Sequence, residues 1–208
     1  MFPNILPANQ KSLLAALGQQ PFLADYYLAG GTALALQLGH RLSVDLDFFC
    51  SGKIISDQLK QHLSRIQPLE IRNESDGTLH GVMNGVQLSF IEYPYPHLQA
   101  VELYEQVQLA SLPDIACMKI AAVTGRSTKK DFVDLYFLSQ HKLDLQAIWS
   151  LMDKKFPNVS YSAYHVLRSL VYFQEAEQTE MPKMLVSCGW EEVKRYFARE
   201  VPRLGKFI

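Results

Sequence analysis

Short segments with strand or helix spacing follow one another in the first half of the chain. Residues 9–19 and 55–66 have the apolar spacing of helices, and residues 25–29 are aromatic and apolar, as in a strand. Further on, three alternating segments are separated by Asp76-Gly77 and Asn84-Gly85, two dipeptides typical of tight hairpin turns. We therefore expect an antiparallel meander of three strands, which the prolines of "YPYPHL" end.

Helix spacing prevails in the second half of the chain. From Ser111 onward the pattern predicts helices over residues 113–124, 128–140, 144–155, 161–176 and 189–200. The element order indicates an α/β core of residues 1–105 and a helical domain of residues 106–208, with the boundary near residues 97–110. The predicted fold class is therefore α+β.

The composition is that of an ordinary globular protein and excludes several other classes. Of the 208 residues, 48% are hydrophobic and 20% are charged, and the formal net charge of −1 excludes a polycation. Three scattered cysteines, Cys50, Cys117 and Cys188, indicate buried free thiols in a reducing compartment. The start lacks the features of a signal peptide, and no apolar run approaches the roughly 20 residues of a membrane span. We expect a cytoplasmic protein with no membrane contact.

Two carboxylates, Asp45 and Asp47, lie inside "SVDLDFF", an apolar segment that alternates as a strand does. On a strand the two acids face the same side, about 6.5–7 Å apart, while Val44, Leu46 and Phe48 face the core. At that distance their repulsion is on the order of 2–3 kcal/mol for an effective dielectric constant of about 20. A bound cation or a nearby basic side chain would offset this repulsion. A solvated acidic face on an edge strand explains the same pattern.

A glycine turn precedes these acids and connects a predicted strand to a predicted helix. Gly30-Gly31 follows the strand, and "TALALQLG" is rich in helix formers, with Thr32 as the candidate N-cap and Gly39 as the stop. Glycines let a backbone approach a phosphate closely, and a helix N-terminus attracts negative charge. Because magnesium binds one or two carboxylates together with substrate phosphates, the turn and the acids suit a nucleoside triphosphate with Mg²⁺. For the glycines alone, a plain tight turn is the alternative.

The run "GGTALALQLGHRLSVDLDFF" resembles the signature of the polymerase-β-like nucleotidyltransferases, and it is most similar to that of the AbiEii/AbiGii toxin family. The resemblance spans about residues 26–138. It implies a polymerase-β-like core, a mixed sheet with flanking helices, followed by a C-terminal helical bundle that completes the nucleotide pocket. It also implies that Asp45 and Asp47 hold Mg²⁺ or Mn²⁺ on the incoming triphosphate. The nucleotide-binding residues that it implies in this region are Gly30, Gly31, Thr32, His40, Arg41 and Ser43.

The resemblance continues into two predicted helices, "SLPDIACMKIAAVTGR" and "TKKDFVDLYFL". Lys119 and Arg126 lie seven residues apart and therefore share a helix face. The family pattern implies that both contact nucleotide phosphates, with Lys119 as a catalytic residue. A lone lysine on an amphipathic helix is otherwise a solvated side chain. Asp114 has capping-box spacing from Ser111, which explains it without another role.

The second of these helices contains two acidic residues, Asp131 and Asp134, and helix capping can explain only the first. Asp131 has capping-box spacing from Thr128, so capping and a role at the nucleotide explain it equally well. Asp134 cannot cap this helix start, and the resemblance implies that it orients a basic group or the attacking nucleophile. By the same resemblance, Lys130 and Asp131 border the nucleotide pocket.

A third carboxylate, which the superfamily usually carries on a later strand, has no secure counterpart in this chain. The strand "GVQLSFIEY" contains only Glu92, near its end, and Ser89 stands where some relatives have an acid. These two residues have opposite parity, so a regular strand cannot turn both toward the site, although a bulge could re-aim Glu92. Glu92 is therefore the candidate third metal ligand. Without it the site keeps two acids and lacks the group that helps to deprotonate the acceptor hydroxyl.

The predicted function is Mg²⁺-dependent transfer of a nucleoside monophosphate from a nucleoside triphosphate to an acceptor hydroxyl of RNA, tRNA or protein. The family resemblance implies a toxin-like role, with a separate antitoxin protein as the partner. One alternative, motivated by Ser89, is a catalytically weakened or inactive descendant that binds a nucleotide or a partner. Another is a helical interaction protein whose first half is only a scaffold, which leaves the joint order of the motifs unexplained.

Overall fold

The computed structural model describes residues 1–205 and contains two compact units. The first unit comprises Met1–Ser111 and combines a mixed sheet with helices, and the second unit begins at Leu112 and is built of helices. This organisation confirms the predicted α+β class. Within residues 1–205, every helix is too short or too polar to cross a membrane.

The helices of the first unit are α1 (Ala8–Gly18), α2 (Gly30–Leu38) and α3 (Ser56–Ser64). Short 3-10 helices at Pro3–Ile5 and Pro21–Asp25 flank α1, and each begins with a proline, whose fixed φ suits a helix start. The helices predicted before and after the first strand are confirmed with slightly shifted ends.

The sheet of the first unit is mixed. Its strands are β1 (Tyr27–Ala29), β2 (Leu46–Cys50), β3 (Leu69–Ser75), β4 (Thr78–Met83), β5 (Val86–Glu92), β6 (Glu102–Tyr104) and β7 (Val107–Leu109). Their order across the sheet is β3-β4-β5-β2-β1-β7-β6. β2 runs parallel to β5 and β1 runs parallel to β7, while the other neighbours are antiparallel. The parallel pairing brings β2, which carries Asp47, directly beside β5, which carries Ser89.

The alternation of β2 fixes which of its side chains reach the core. Leu46, Phe48 and Cys50 are buried, and Phe48 stacks on Phe90 of β5 with ring centroids 5.1 Å apart. Asp47 lies on the opposite, half-buried face. Because a slip by one residue would turn Phe48 to the outside and Asp47 to the core, the register of this strand is strongly specified.

The predicted three-strand meander is confirmed as β3, β4 and β5. Asn84 and Gly85, which join β4 to β5, have φ of 51° and 72°, as a type I′ turn requires. The sequence did not predict the hairpin of β6 and β7. Its turn residues, Glu105 and Gln106, have φ of 46° and 67°, a conformation that these residue types rarely adopt, so no turn signal is present there.

The helices of the second unit are α4 (Leu112–Arg126), α5 (Lys129–His141), α6 (Leu145–Lys155), α7 (Ala163–Ser169), α8 (Gln174–Glu177) and α9 (Trp190–Leu204). The prediction of one helix over residues 161–176 is wrong, because the chain leaves the helix between α7 and α8. Phe173, in this interruption, packs against Phe132 and Trp190 with ring centroids 5.3 and 5.8 Å apart. An aromatic cluster thus accompanies a break that apolar spacing alone does not show.

A buried ion pair joins α4 to α6. Lys155 Nζ lies 2.7 Å from Asp114 Oδ1, and both side chains are 0% exposed. Asp114 belongs to the first turn of α4, so the sequence explained it as a cap, but the structure gives it a charged partner 41 residues away. Sequence spacing cannot indicate such a partner, because only packing of the helices brings it close.

Candidate active site

The glycine turn between β1 and α2 lies against the carboxylate of Asp47. Gly30 has φ of 67°, in the left-handed region that glycine adopts readily. A Cβ atom at Gly30 would lie 2.9 Å from Asp47 Oδ2, which is closer than van der Waals contact allows. The pairing of Ala29 with Asp47 across β1 and β2 produces this approach. Both the backbone conformation and the neighbouring carboxylate therefore require glycine here.

Thr32 does not cap α2 as the sequence predicted. The helix begins at Gly30, and Ala29 occupies the N-cap position, so Thr32 lies within the first turn and is 1% exposed. Its hydroxyl donates a hydrogen bond to the carbonyl oxygen of Asp45, and its oxygen lies 2.9 Å from Ser43 Oγ. Thr32 thereby ties the segment that precedes β2 to the glycine turn.

Arg41 contributes a positive charge beside the same turn. A Cβ atom at Gly31 would collide with Arg41 Nη2, and Arg41 Nη1 donates to the carbonyl oxygen of Leu42 at 2.8 Å. Because Asp47 lies against the preceding glycine, this guanidinium partly offsets the negative charge of the site from within the fold. Arg41 is 3% exposed, and His40 is fully buried.

Only one of the two aspartates, Asp47, lies on β2. The strand begins one residue after Asp45, so strand alternation does not fix the direction of the Asp45 side chain. For the same reason Val44, which we expected in the core, is 58% exposed. The carbonyl oxygen of Asp45 is held by the hydroxyl of Thr32 and by Gln10 Nε2, the latter at 3.4 Å. The two aspartates are therefore not a pair on one strand, as predicted. Asp47 lies on β2, whereas Asp45 lies in the preceding loop and is held through its backbone carbonyl.

Ser89, rather than Glu92, lies beside Asp47. In the parallel ladder of β2 and β5, Asp47 pairs with Ser89, whereas Glu92 pairs with Cys50 and has the parity of the buried face. The carboxylate of Glu92 instead accepts a hydrogen bond from the backbone N–H of Ile54 at 2.6 Å. Glu92 is thus not with the two aspartates as a third metal ligand, because regular pairing turns its side chain to the other face.

Asp45, Asp47 and the glycine turn suit a metal ion only when a ligand supplies further oxygens. Among residues 1–205, no group of three or more His, Cys, Asp or Glu side chains could hold a metal ion. Mg²⁺ commonly takes one or two carboxylates and completes its shell with phosphate oxygens and water. The space that Gly30 leaves next to Asp47 Oδ2 fits that kind of shared coordination.

In the second unit, Lys119 and two aspartates form a buried charged network. Lys119 Nζ of α4 lies 2.8 Å from Asp131 Oδ1 and 2.6 Å from Asp134 Oδ2, both on α5. The side chain of Lys119 is 4% exposed, and those of the two aspartates are 0% exposed. Arg126 Nε and Nη2 donate to both oxygens of Asp131 at 2.8 and 2.9 Å. Two positive and two negative charges therefore balance within this network.

The surroundings of Asp131 keep it ionised. Burial by itself raises the pKa of the Asp131 carboxyl, but hydrogen bonding to Arg126 and the charges of Lys119 and Arg126 outweigh it and hold the pKa well below its usual range. The hydroxyl of Thr128 also donates to Asp131 Oδ2 at 2.7 Å. Thr128 occupies the N-cap position of α5, but its hydroxyl bonds to this carboxylate rather than capping the helix. Helix capping alone therefore does not explain the contacts of the Asp131 carboxylate.

The remaining predicted cations of this unit differ in exposure. Lys130 is exposed on α5, whereas Asp134, one helical turn later, is fully buried and paired with Lys119. The side chain of Arg126 is 59% exposed despite its ion pairs. Arg126 and Lys130 thus offer positive charge to solvent, whereas Lys119 does not.

His80, which was not among the predicted site residues, contacts the residue beside Asp47. His80 of β4 pairs with Ser89 of β5, and its Nδ1 lies 2.9 Å from Ser89 Oγ. A signal for this contact was present in the sequence. In a hairpin with the two-residue turn Asn84-Gly85, counting back equally from both ends pairs position 80 with position 89.

Comparison with known proteins finds a family match over nearly the whole chain. The family described as nucleotidyl transferase AbiEii toxin, of type IV toxin–antitoxin systems, matches residues 12–202. An uncharacterized protein of Aquifex aeolicus (strain VF5) is 35% identical over 201 residues, which cover 94% of this chain and 96% of that protein.

Two solved structures share the fold. JHP933 from Helicobacter pylori superposes with a TM-score of 0.53 at 20% identity, over 95% of this chain and 91% of that chain. MenT4, a nucleotidyltransferase toxin from Mycobacterium tuberculosis, superposes with a TM-score of 0.55 at 12% identity, over 95% of this chain and 89% of that chain. At these identities the likeness shows a common architecture.

Proposed function

Because the chain belongs to the AbiEii family of nucleotidyltransferase toxins of type IV toxin–antitoxin systems, we propose that it transfers a nucleoside monophosphate from a nucleoside triphosphate to an acceptor hydroxyl. The proposed metal ion is Mg²⁺, for which Mn²⁺ can substitute, and the proposed acceptor is RNA, in particular tRNA, with a protein hydroxyl as the other class. Family membership implies nucleotide transfer and a separate antitoxin partner. The metal ion, the contacts to the triphosphate and the acceptor go beyond what family membership implies and are part of our proposal.

The approach of Asp47 to the Gly30 turn is the observation that carries this proposal. A Cβ atom at Gly30 would lie 2.9 Å from Asp47 Oδ2, so the carboxylate that we propose to bind the metal lies beside the first turn of α2. The N–H groups of a first helical turn attract phosphate, and carboxylates attract a divalent cation. An acidic residue on an ordinary solvated strand requires no such glycine.

In the proposed reaction, the first turn of α2 binds phosphate oxygens through its backbone N–H groups, and Thr32 and Ser43 keep the loop before β2 in position. Asp45 and Asp47 would hold Mg²⁺, which when bound neutralises triphosphate charge and polarises the phosphoryl group. The acceptor oxygen forms a bond to the α-phosphorus as the bond to pyrophosphate breaks. The chain's own contribution is orientation and charge balance.

For the second unit we propose roles in phosphate binding and in positioning a cation. Arg126 and Lys130 are exposed and are the proposed phosphate contacts. Asp134 holds Lys119 through a 2.6 Å ion pair, which supports the proposal that Asp134 orients a basic group. Asp131 binds both Lys119 and Arg126 and would fix the distance between them.

A nucleotide-transfer assay tests this proposal directly. Purified protein is incubated with Mg²⁺, total tRNA and each of the four α-labelled nucleoside triphosphates. We expect label in the tRNA, and we expect Asp47→Asn or EDTA to reduce the rate by about 100-fold or more, because both remove metal-binding capacity. Asp57→Asn is the matched control, since the side chain of Asp57 is 87% exposed on α3. Undiminished transfer by Asp47→Asn would contradict the proposal.

A protein that binds nucleotide without turning it over is the second candidate. It is favoured by Ser89, which pairs with Asp47 at the position where a third carboxylate was expected. Calorimetry with a nucleoside triphosphate and Mg²⁺ separates the two functions. Binding without transfer to tRNA or to protein supports the binding function. If no binding is detected, a nucleotide has no role in either candidate function.

A further inference from the structure

A cavity of about 340 Å³ is lined by residues of the meander and lies outside the contacts described so far. Its polar lining residues are Arg72, His80, Gln87 and Ser89. They come from β3, β4 and β5, so a single rigid sheet segment forms this wall. The cavity falls within the size range of small-molecule sites and would accept part of a nucleotide.

The cavity lies in the same cross-strand row as Asp47. His80 pairs with Ser89, and Ser89 pairs with Asp47, so the three side chains share one face of β4, β5 and β2. Neighbouring strands lie about 4.8 Å apart, which puts Ser89 one strand spacing and His80 two spacings from Asp47. A molecule that fills the cavity therefore reaches the edge of the proposed metal site.

Ser89 and His80 form a hydrogen-bonded pair along this row. Ser89 Oγ lies 2.9 Å from His80 Nδ1, and both residues are only partly buried. A serine whose hydroxyl donates to a neutral imidazole can accept a proton from a third group while passing its own to the ring. The pair thus has the parts of a proton relay at the position where the family pattern suggests a carboxylate.

Arg72 adds a positive charge to the lining of the cavity. Arg72 lies at a register shift of β3, just before Asn73, which pairs with His80, and bulges can re-aim side chains next to functional sites. Arg72 forms an ion pair with Glu70 at 3.0 Å, but the two side chains are 60% and 61% exposed. Such exposed pairs are weak, so the guanidinium can exchange Glu70 for a phosphate of a bound nucleic acid.

We propose that this cavity is the acceptor subsite and that Ser89 and His80 together replace the third carboxylate. This inference rests on the proposed nucleotidyltransferase activity. The acceptor hydroxyl gives its proton to Ser89 Oγ, and the proton of Ser89 passes to His80 Nδ1. The electron pair of the acceptor oxygen forms the bond to the α-phosphorus, and the pair of the broken P–O bond leaves with pyrophosphate. Ser89 touches the reacting hydroxyl, whereas His80 acts through Ser89.

The test compares variants that keep or remove the relay, with Mg²⁺, labelled nucleoside triphosphates and total tRNA as the probes. His80→Asn keeps a hydrogen-bond partner for Ser89 at the position of Nδ1 but cannot take up a proton. We expect His80→Asn and Ser89→Ala each to lower kcat by about 100-fold or more, with the KM for the triphosphate changed by less than about twofold. Because the two residues act as one relay, the double variant should be no slower than Ser89→Ala alone.

A rescue variant separates proton transfer from a structural role. Ser89→Asp supplies a carboxylate at the same position, so transfer should persist in it and should no longer depend on His80. Arg72→Gln should raise the apparent KM for tRNA by about 10-fold at unchanged kcat, whereas Arg65→Gln, which removes the same charge outside the cavity, should not. Thermal unfolding of every variant shows whether the folded state is retained.

The outcomes distinguish this inference from the proposed function. A wild-type protein that transfers nucleotide while His80→Asn and Ser89→Ala retain its kcat overturns the relay alone. A wild-type protein that transfers no nucleotide to any acceptor overturns both. Persistent dependence of Ser89→Asp on His80 would show that the imidazole acts on folding or binding, which also overturns the relay.

Discussion

At the scale of single residues, Gly30 links the backbone conformation of the turn to the chemistry of the site. Its φ of 67° is a conformation that glycine adopts most readily, and a Cβ atom there would lie 2.9 Å from Asp47 Oδ2. The same residue type would suit an ordinary turn. It is the nearby carboxylate that supports the proposed binding of a metal ion and phosphate at this glycine.

Replacement of Gly30 by alanine should impair nucleotide binding more than folding. The left-handed conformation costs alanine about 1–2 kcal/mol, and the added Cβ must displace Asp47 Oδ2, from which it would lie 2.9 Å. We expect the Kd for a nucleoside triphosphate with Mg²⁺, measured by calorimetry, to rise by about 10-fold or more. Gly52→Ala is the control, because a Cβ there meets no atom within 4 Å. Equal affinities of the two variants would contradict this account.

At the scale of elements, buried charges rather than apolar contacts alone join the helices around α4. Lys119 connects α4 to α5, and Asp114 connects α4 to α6. Removing one partner of a buried ion pair leaves an uncompensated charge and is more damaging than removing both. The stability of the second unit should therefore depend on these few residues.

The pair of Asp114 and Lys155 should show this asymmetry. Lys155→Met leaves Asp114 charged at 0% exposure, and we expect it to lower the free energy of unfolding by about 3–5 kcal/mol. The double variant Asp114→Leu with Lys155→Met should recover most of that loss, since neither charge of this pair then remains buried without its partner. Urea denaturation at neutral pH measures both. A double variant that is less stable than Lys155→Met would show that the pair itself is strongly stabilising.

The network around Asp131 should make stability depend on acid pH. Its pKa is held below the usual range, so its contribution is complete above the unfolded value of about 3.9 and is lost as the pH falls through the lower, folded pKa. Asp131→Asn should cost about 3 kcal/mol at pH 7, and the difference from wild type should shrink below about pH 4. Asp57→Asn, on the surface of α3, should change stability little at any pH. A difference that stays constant down to pH 2 would contradict this linkage.

At the scale of the whole molecule, family membership indicates the partner, whereas the net charge bears on how RNA would be recognised. The AbiEii family indicates a toxin whose partner is an antitoxin. The net charge of −1 gives no general attraction to RNA, so an RNA acceptor must be recognised by local groups such as Arg72.

Expression in a bacterial host should reveal toxicity that depends on the site. Induced wild-type chain should slow growth, and Asp47→Asn should relieve the arrest, because the carboxylate that approaches the Gly30 turn is lost. Immunoblots must show equal accumulation of the two proteins. Equal arrest by Asp47→Asn would separate the toxicity from nucleotide transfer.

The sequence by itself determined the α+β class, the meander, most helices and the motif order that marks the family. These features depend on local spacing, on turn dipeptides such as Asn84-Gly85 and on contiguous motifs, all of which a linear chain displays. It did not show the hairpin of β6 and β7, whose turn of Glu105 and Gln106 carries no local signal.

Only the tertiary structure decided which distant side chains meet. The parallel pairing of β2 with β5 set Ser89 beside Asp47 and turned Glu92 away, and helix packing gave Asp114 its partner. The alternation along one strand shows which of its residues share a face. The register between strands is instead fixed by burial of large side chains, such as Phe48 against Phe90. Local sequence thus supplied the candidate residues of the site, whereas the residue that lies beside Asp47 on β5 depended on packing across the sheet.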